Sequence, residues 1–307
     1  MSASGLAAGG SPAAGDHLAR FAVSARRRRT DRVARGMLLG ATLIALVPLG
    51  LVVYYLLVKG LGAWSWSFFT TDPTGNTFFK SASIGGIKSA ILGTIEMVAL
   101  ASLIAIPIGV GVALWLVEYG RPSWFAHTVR FFVDVLTGVP SIVFGLFIYI
   151  VLVVAKVGGS SFAGWKGSLA LALLMLPIVV RAAEVVLLLV PDSLREAALA
   201  LGAPRWRVVS RVVLPTAAPG LVTGSLLAVA RGMGETAPLL FTVSVAFGLS
   251  WNLNGVMNSL PAQIYGDITN PRSVVVTRAW GAALTLVALI LILNVVARLI
   301  ARRSRVS

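Results

Sequence analysis

Along this chain the apolar positions do not alternate with polar ones; they merge into runs of roughly 20 residues. A helix rises about 1.5 Å per residue, so a run of that length crosses a hydrocarbon core of about 30 Å. The first run, Met37 to Val58, follows an arginine-rich stretch: Arg20, Arg26 to Arg29, Arg32 and Arg35. It is too long for the apolar part of a signal peptide. Trp64, Ser65, Trp66 and Phe68 also stand where a small-residue cleavage site would be. It therefore predicts an uncleaved first span. Further spans are predicted at Ser89 to Ala113 (bent by Pro107), Val133 to Val154, Ser168 to Val190, Pro219 to about Phe247, and Ala279 to Ala297. The expectation is an all-α, polytopic membrane protein of about six transmembrane helices, with both termini on one side and no internal repeat.

Composition agrees: 57% of the 307 residues are hydrophobic and 12% charged. The net charge of +15 and the pI near 11.4 would raise nucleic-acid binding in a soluble chain. Here arginine serves as the topogenic residue beside membrane spans, and no nucleic-acid partner is expected. The N-terminal arm, the 118–132 connector, the 191–215 loop, the C-terminal tail and two helix-end arginines hold 18 of the 26 Lys and Arg. The segments 59–88, 155–167 and 248–278 hold seven. That bias predicts cytoplasmic termini in a bacterial inner membrane. The plan is a disordered basic tail over 1–35, a membrane domain over 36–300, and a short cytoplasmic tail over 301–307. The absence of cysteine excludes thiol chemistry and zinc–thiolate sites, and His17 and His127 cannot make a metal centre. No metal, cofactor or catalytic group is expected. No Gly-Lys pair ends a phosphate-binding loop, so any ATP must be hydrolysed by another chain.

The loop from Pro191 to Pro215 is more than a return to the membrane. Ser193 and Glu196 have capping-box spacing, Leu194 to Leu201 favour helix, and Gly202 suits the left-handed position after it. Pro204 can open a second short helix and Pro215 would break the chain before the fifth span. Ala197, Ala198 and Ala200 keep one side small. The pattern predicts a helix–Gly–helix elbow on which a partner docks.

The fifth span carries Arg231 and Glu235 among Gly232, Gly234, Thr236 and Pro238. Charge in a bilayer costs about 2.5–3.5 kcal/mol per residue on insertion scales. On a continuous helix Gly224, Arg231, Glu235 and Thr242 would share one face, directed at the bundle or a wet path. Simple mutual neutralisation is the plainer account of the pair, but two leucines would serve that end better. A pathway role is favoured, and a guanidinium suits an oxyanion through its planar two-bond fork. Arg181 and Glu184 repeat the pattern in the fourth span, where Arg181 could equally reach the headgroups. Glu96 is a weaker candidate, and Asp134 reads as a helix cap or the partner of a loop arginine.

These residues carry a family resemblance. Glu196-Ala197-Ala198, Gly202 and, after nine intervening residues, Val212-Val213-Leu214-Pro215 resemble the EAA motif of binding-protein-dependent ABC-importer permeases, with Val212 in place of Ile. The stretch from Ala230 to Thr242, with Gly138 to Gly145, Val180 to Glu184 and Pro191 to Glu196, is similar to the phosphate-importer branch of that family. The resemblance covers residues 35–300. It implies a MetI-like fold whose cytoplasmic coupling helix meets an ATPase through Glu196, Ala197, Ala198, Gly202, Leu214 and Pro215. It places Arg231, Glu235, Thr236, Arg181 and Glu184 along the substrate pathway. Implied partners are a PstC-like second permease, a PstB-like ATPase pair and a PstS-like phosphate-binding protein, in a lipid membrane. A permease for sulfate or molybdate would share the elbow. A proton-coupled secondary transporter using Glu96, Glu184 and Glu235 would not need it, and nothing supports an intramembrane enzyme.

Overall fold

In hydrocarbon a backbone must satisfy its own polar groups, and each apolar run here does so as helix. The computed structural model describes residues 25–73, 84–120, 123–244, 248 and 250–303. The expected disorder before residue 25 and the last four residues of the C-terminal tail lie outside these. Among the described residues every regular element is helical.

The described residues form two units, one up to Tyr55 and one from Leu56 on. The first contributes most of α1 (Ala25–Gly60), which starts eleven residues before the position that sequence assigns to its membrane domain. Residues 25–35 are thus helix where the sequence predicts disorder. Their arginines extend the helix because arginine is a good helix former and nothing there breaks the ladder.

The second unit is a bundle built around α6 (Gly164–Leu188), the most buried of the long apolar helices. Against it lie α3 (Lys88–Leu114, continued by a π turn Trp115–Tyr119) and α9 (Leu214–Met233). Met97, Ala101 and Ala105 of α3 meet Leu171, Met175 and Val179 of α6 in one apolar core. Pro107 lies inside α3 without interrupting it. Before α3, α2 (Trp66–Thr70) buries Phe68 at the end of the bundle away from the elbow.

Two spans expected to be continuous are broken. The third is α4 (Trp124–Gly138) followed by α5 (Ser141–Ile148, with a π turn Tyr149–Val154), bent by 101°. Proline disfavours helix in the residue before it, and Val139, before Pro140, is extended at φ −71°, ψ 128°. The fifth ends at Met233 and resumes as α10 (Ala237–Thr242). Pro238 offers no N–H to the carbonyl of Gly234 and its ring would strike it, so the helix stops there. The two breaks meet: a Cβ on Gly145 would lie 2.6 Å from Cα of Pro238, so only glycine permits this approach. Among the described residues five helices are long and apolar enough to cross a membrane, or six if the bent pair counts as one span.

The elbow is α7 (Asp192–Ala200), then Gly202 at φ +79°, then α8 (Arg205–Val208). Two local expectations change. The helix starts after Pro191 with no side-chain cap, so Ser193 and Glu196 lie inside it and form no capping box. Pro215 does not break the chain. A π turn, Val209–Val213, joins α8 to α9, with Leu214 N–H bonded five residues back to Val209. That wider turn comes directly before Pro215, which then falls in the first turn of α9, where its missing N–H costs little.

At the other end of the bundle sequence predicts only a segment between spans. There α11 (Leu260–Ile268) packs on α12 (Ser273–Arg303), and buried Arg278 grips Asp267 with two bonds of 2.7 Å. Gln263 and Asn258 extend this network, and Thr94 Oγ1 of α3 accepts from Leu260 N–H. Lys166 is fully buried; its Nζ donates to the carbonyls of Leu152, Ser160 and Ser161 at 2.6–3.1 Å. The ammonium thereby ties the 160–161 loop to the end of the α5 span.

Candidate functional site

Two regions and a separate polar cluster hold the residues singled out by sequence. The first is the interior break of the fifth span. Arg231 lies in the last turn of α9, and Glu235 follows in the break, so the single continuous face expected for Gly224 to Thr242 does not exist. The pair survives all the same, because the tight turn at Gly234 keeps the two side chains near: Arg231 Nη2 is 3.3 Å from Glu235 Oε1. The partners differ sharply in exposure. Glu235 is 13% exposed, whereas Arg231 is 61% exposed. Thr236 precedes α10 and is half-buried, with no capping bond from its side chain. Arg231 borders a cavity of about 200 Å³ with Thr137, Val139 and Ser141 from the break in the third span, and Pro177 of α6. Helix breaks thus place a guanidinium with free donors beside a small cavity.

Arg181 and Glu184 are placed elsewhere and bonded differently. Glu184 is buried between two arginines: Arg130 Nε donates to Oε1 at 2.6 Å and Arg181 Nη1 to Oε2 at 2.8 Å. Arg181 also meets Asp134, whose partner is thus an arginine of the fourth span and not of a loop, and Arg130 donates to the carbonyl of Leu116. Sequence reading did not find Arg130, which lies in an apparently polar connector 54 residues away. The cluster ties α4, α6 and the end of α3. Arg181 faces a wide groove of about 990 Å³ with Arg298, not the cavity of Arg231. Glu96 stands apart: both its carboxylate oxygens are buried without a hydrogen-bond partner.

The second region is the elbow. Glu196 and Ala197 are exposed, Ala198 is half-buried against the adjoining core, and Gly202 has open space around it. Leu214 is half-buried and Pro215 exposed. Sequence reasoning missed two features here. One is an apolar surface: Leu194, Leu199, Leu201 and Trp206 are all exposed, Leu201 at 89%. The other is Arg195, whose guanidinium bonds Glu118 at the end of α3. Neither shows a local signal, since each depends on which way α7 is turned.

This architecture can be set beside known proteins. The family described as binding-protein-dependent transport system inner membrane component matches residues 105–306. The phosphate transport system permease protein PstA of Yersinia pestis is 41% identical over 275 residues, 89% of this chain and 90% of that protein. The chain belongs to the PstA family of binding-protein-dependent permeases. The PstA protein of Mycobacterium leprae is 42% identical over 274 residues, covering 89% of this chain and 88% of that one. Among solved structures, the MetNI methionine ABC transporter in inward-facing form aligns with a TM-score of 0.57 at 23% identity, over 70% of this chain and 94% of that one. A bacterial alginate ABC transporter aligns with a TM-score of 0.62 at 14% identity, over 90% and 96%. Likeness at this distance speaks for the fold alone. This permease is therefore an all-α, multi-pass membrane protein with the architecture of ABC-transporter permeases.

Proposed function

We propose that this permease carries inorganic phosphate across the bacterial inner membrane as one of two membrane subunits of an ATP-driven importer. The reading rests on one observation above all. Relatives that are about 41% identical over about nine-tenths of their length are phosphate transport system permeases. Arg231 supports it chemically, since its guanidinium keeps donors free for an oxyanion while Glu235 holds it in place. In this reading the elbow is cytoplasmic, as are both termini. Its exposed leucines and Trp206 enter a groove of a separate ATPase subunit, with Glu196, Ala197 and Ala198 at the contact and Gly202 turning the chain. Leu214 and Pro215 carry the motion into α9. A second permease completes the pathway, and an extracytoplasmic binding protein delivers phosphate.

The test is labelled-phosphate uptake in cells lacking their own importers, with this chain expressed beside its companion subunits. Uptake that needs all subunits, and that excess sulfate or molybdate does not suppress, is the expected result. Suppression by either competitor would move the assignment to that oxyanion.

A further inference from the structure

The elbow helix α7 has no buried residue, so apolar packing does little to hold it. Beside the adjoining core Ala198 and Ala203 are only half-buried, and the elbow side chain buried in it, Val208, belongs to α8 and not to α7. One side chain supplies the missing attachment. Arg195 Nε and Nη2 both donate to Oε1 of Glu118, at 3.1 and 2.9 Å. Its Nη1 donates to the carbonyl of Val190 at 2.6 Å and to Asp192 Oδ1 at 2.9 Å, and Nη2 also reaches the carbonyl of Leu187 at 2.9 Å. Arg195 is 14% exposed and Glu118 12%. A single guanidinium thus fastens the elbow to the π turn that ends α3 and to backbone carbonyls at the end of α6.

We infer that Arg195 and Glu118 form a latch that makes the elbow and the ends of α3 and α6 move as one body. A push delivered to α7 then reaches the bundle through the latch. Without it the push would be absorbed in the three residues between α6 and α7, whose backbone torsions are soft. A cavity of about 270 Å³ lies beside the pair, bordered by Val117, Leu199 and Arg205, so its geometry is set by directed bonds more than by close packing. Arg195 and Glu118 are positioning residues: they touch neither cargo nor nucleotide. The inference rests on the elbow being the surface that meets the ATPase.

The experiment measures ATP hydrolysis and phosphate uptake together, in liposomes holding the complete transporter. Glu118→Gln removes the charge but leaves the bonds from Arg195 to Leu187 and Val190. The ATPase subunit should stay bound while phosphate moved per ATP falls about tenfold, the usual worth of one charge-assisted bond. A role in folding alone would reduce the amount of assembled transporter and leave that ratio untouched. The chain has no cysteine, so Glu118→Cys with Arg195→Cys can be joined by a bis-maleimide of side-chain length. Joining should restore the ratio lost in the unjoined double variant. An unchanged ratio in Glu118→Gln, or a joined variant that stays uncoupled, would overturn the latch. The underlying reading fails separately: Leu201→Glu that leaves the ATPase subunit fully bound would remove the elbow as its docking surface.

Discussion

Arg231 and Glu184 both read, in sequence, as charges inside a span; their surroundings give them opposite characters. Glu184 has both oxygens engaged by arginines, whereas Arg231 shares one loose contact and is otherwise open. Arg231→Gln should leave insertion intact and lower phosphate uptake about 10- to 100-fold, the worth of one strong charge-assisted bond. Arg231→Lys should restore only part, because an ammonium lacks the planar fork. Adding Glu235→Gln to Arg231→Gln should recover assembly but not uptake; full uptake in that double variant would show the pair to be packing. Glu184→Ala should act on folding instead. Stranding Arg130 and Arg181 costs on the order of 3 kcal/mol, visible as lower yield and earlier thermal unfolding in detergent. The sequence singles out Arg231 as a charge among glycines and a proline, but it treats the helix there as continuous and so cannot show that the side chain is left open. It leaves Arg181 and Glu184 undecided because their decisive partner, Arg130, is near only after folding.

At the level of elements, sequence locates the spans but treats the third and fifth as unbroken. Pro140 and Pro238 are visible in the chain, yet a proline alone does not tell a kink from a right-angle turn; Pro107, inside an intact helix, proves the point. The contact between Gly145 and Pro238 decides it, and that contact joins residues far apart in sequence. Gly145→Ala should therefore force α5 and α10 apart at a cost of about 1–3 kcal/mol, with Arg231 displaced and uptake reduced. Gly202 makes a complementary case. It meets no neighbour, so Gly202→Asn, which tolerates a positive φ, should couple nearly normally. Gly202→Val should lose both ATPase binding and uptake, as measured by co-purification and transport.

On the scale of the whole molecule, the fold class was legible because span length and charge asymmetry are local properties summed along the chain. The elbow was legible too, through its helix formers and glycine. What stayed hidden is how the elbow is fastened and how the far end is sealed by Arg278, Asp267 and Lys166, since each depends on long-range contact. Orientation is testable in a chain without cysteine: Ser210→Cys should resist an impermeant thiol reagent in intact cells, and Thr70→Cys should react. The reverse pattern would invert the topology and remove the elbow from the ATPase. The sealed end has a further use. Lys166 has all its N–H donors committed to carbonyls inside the bundle, whereas Lys156, ten residues earlier, is exposed. An amine-acylating reagent should mark Lys156 at once and reach Lys166 only as the helices part. The rate of its acylation, read by mass spectrometry, is thus a clock for the unfolding of this permease within the membrane.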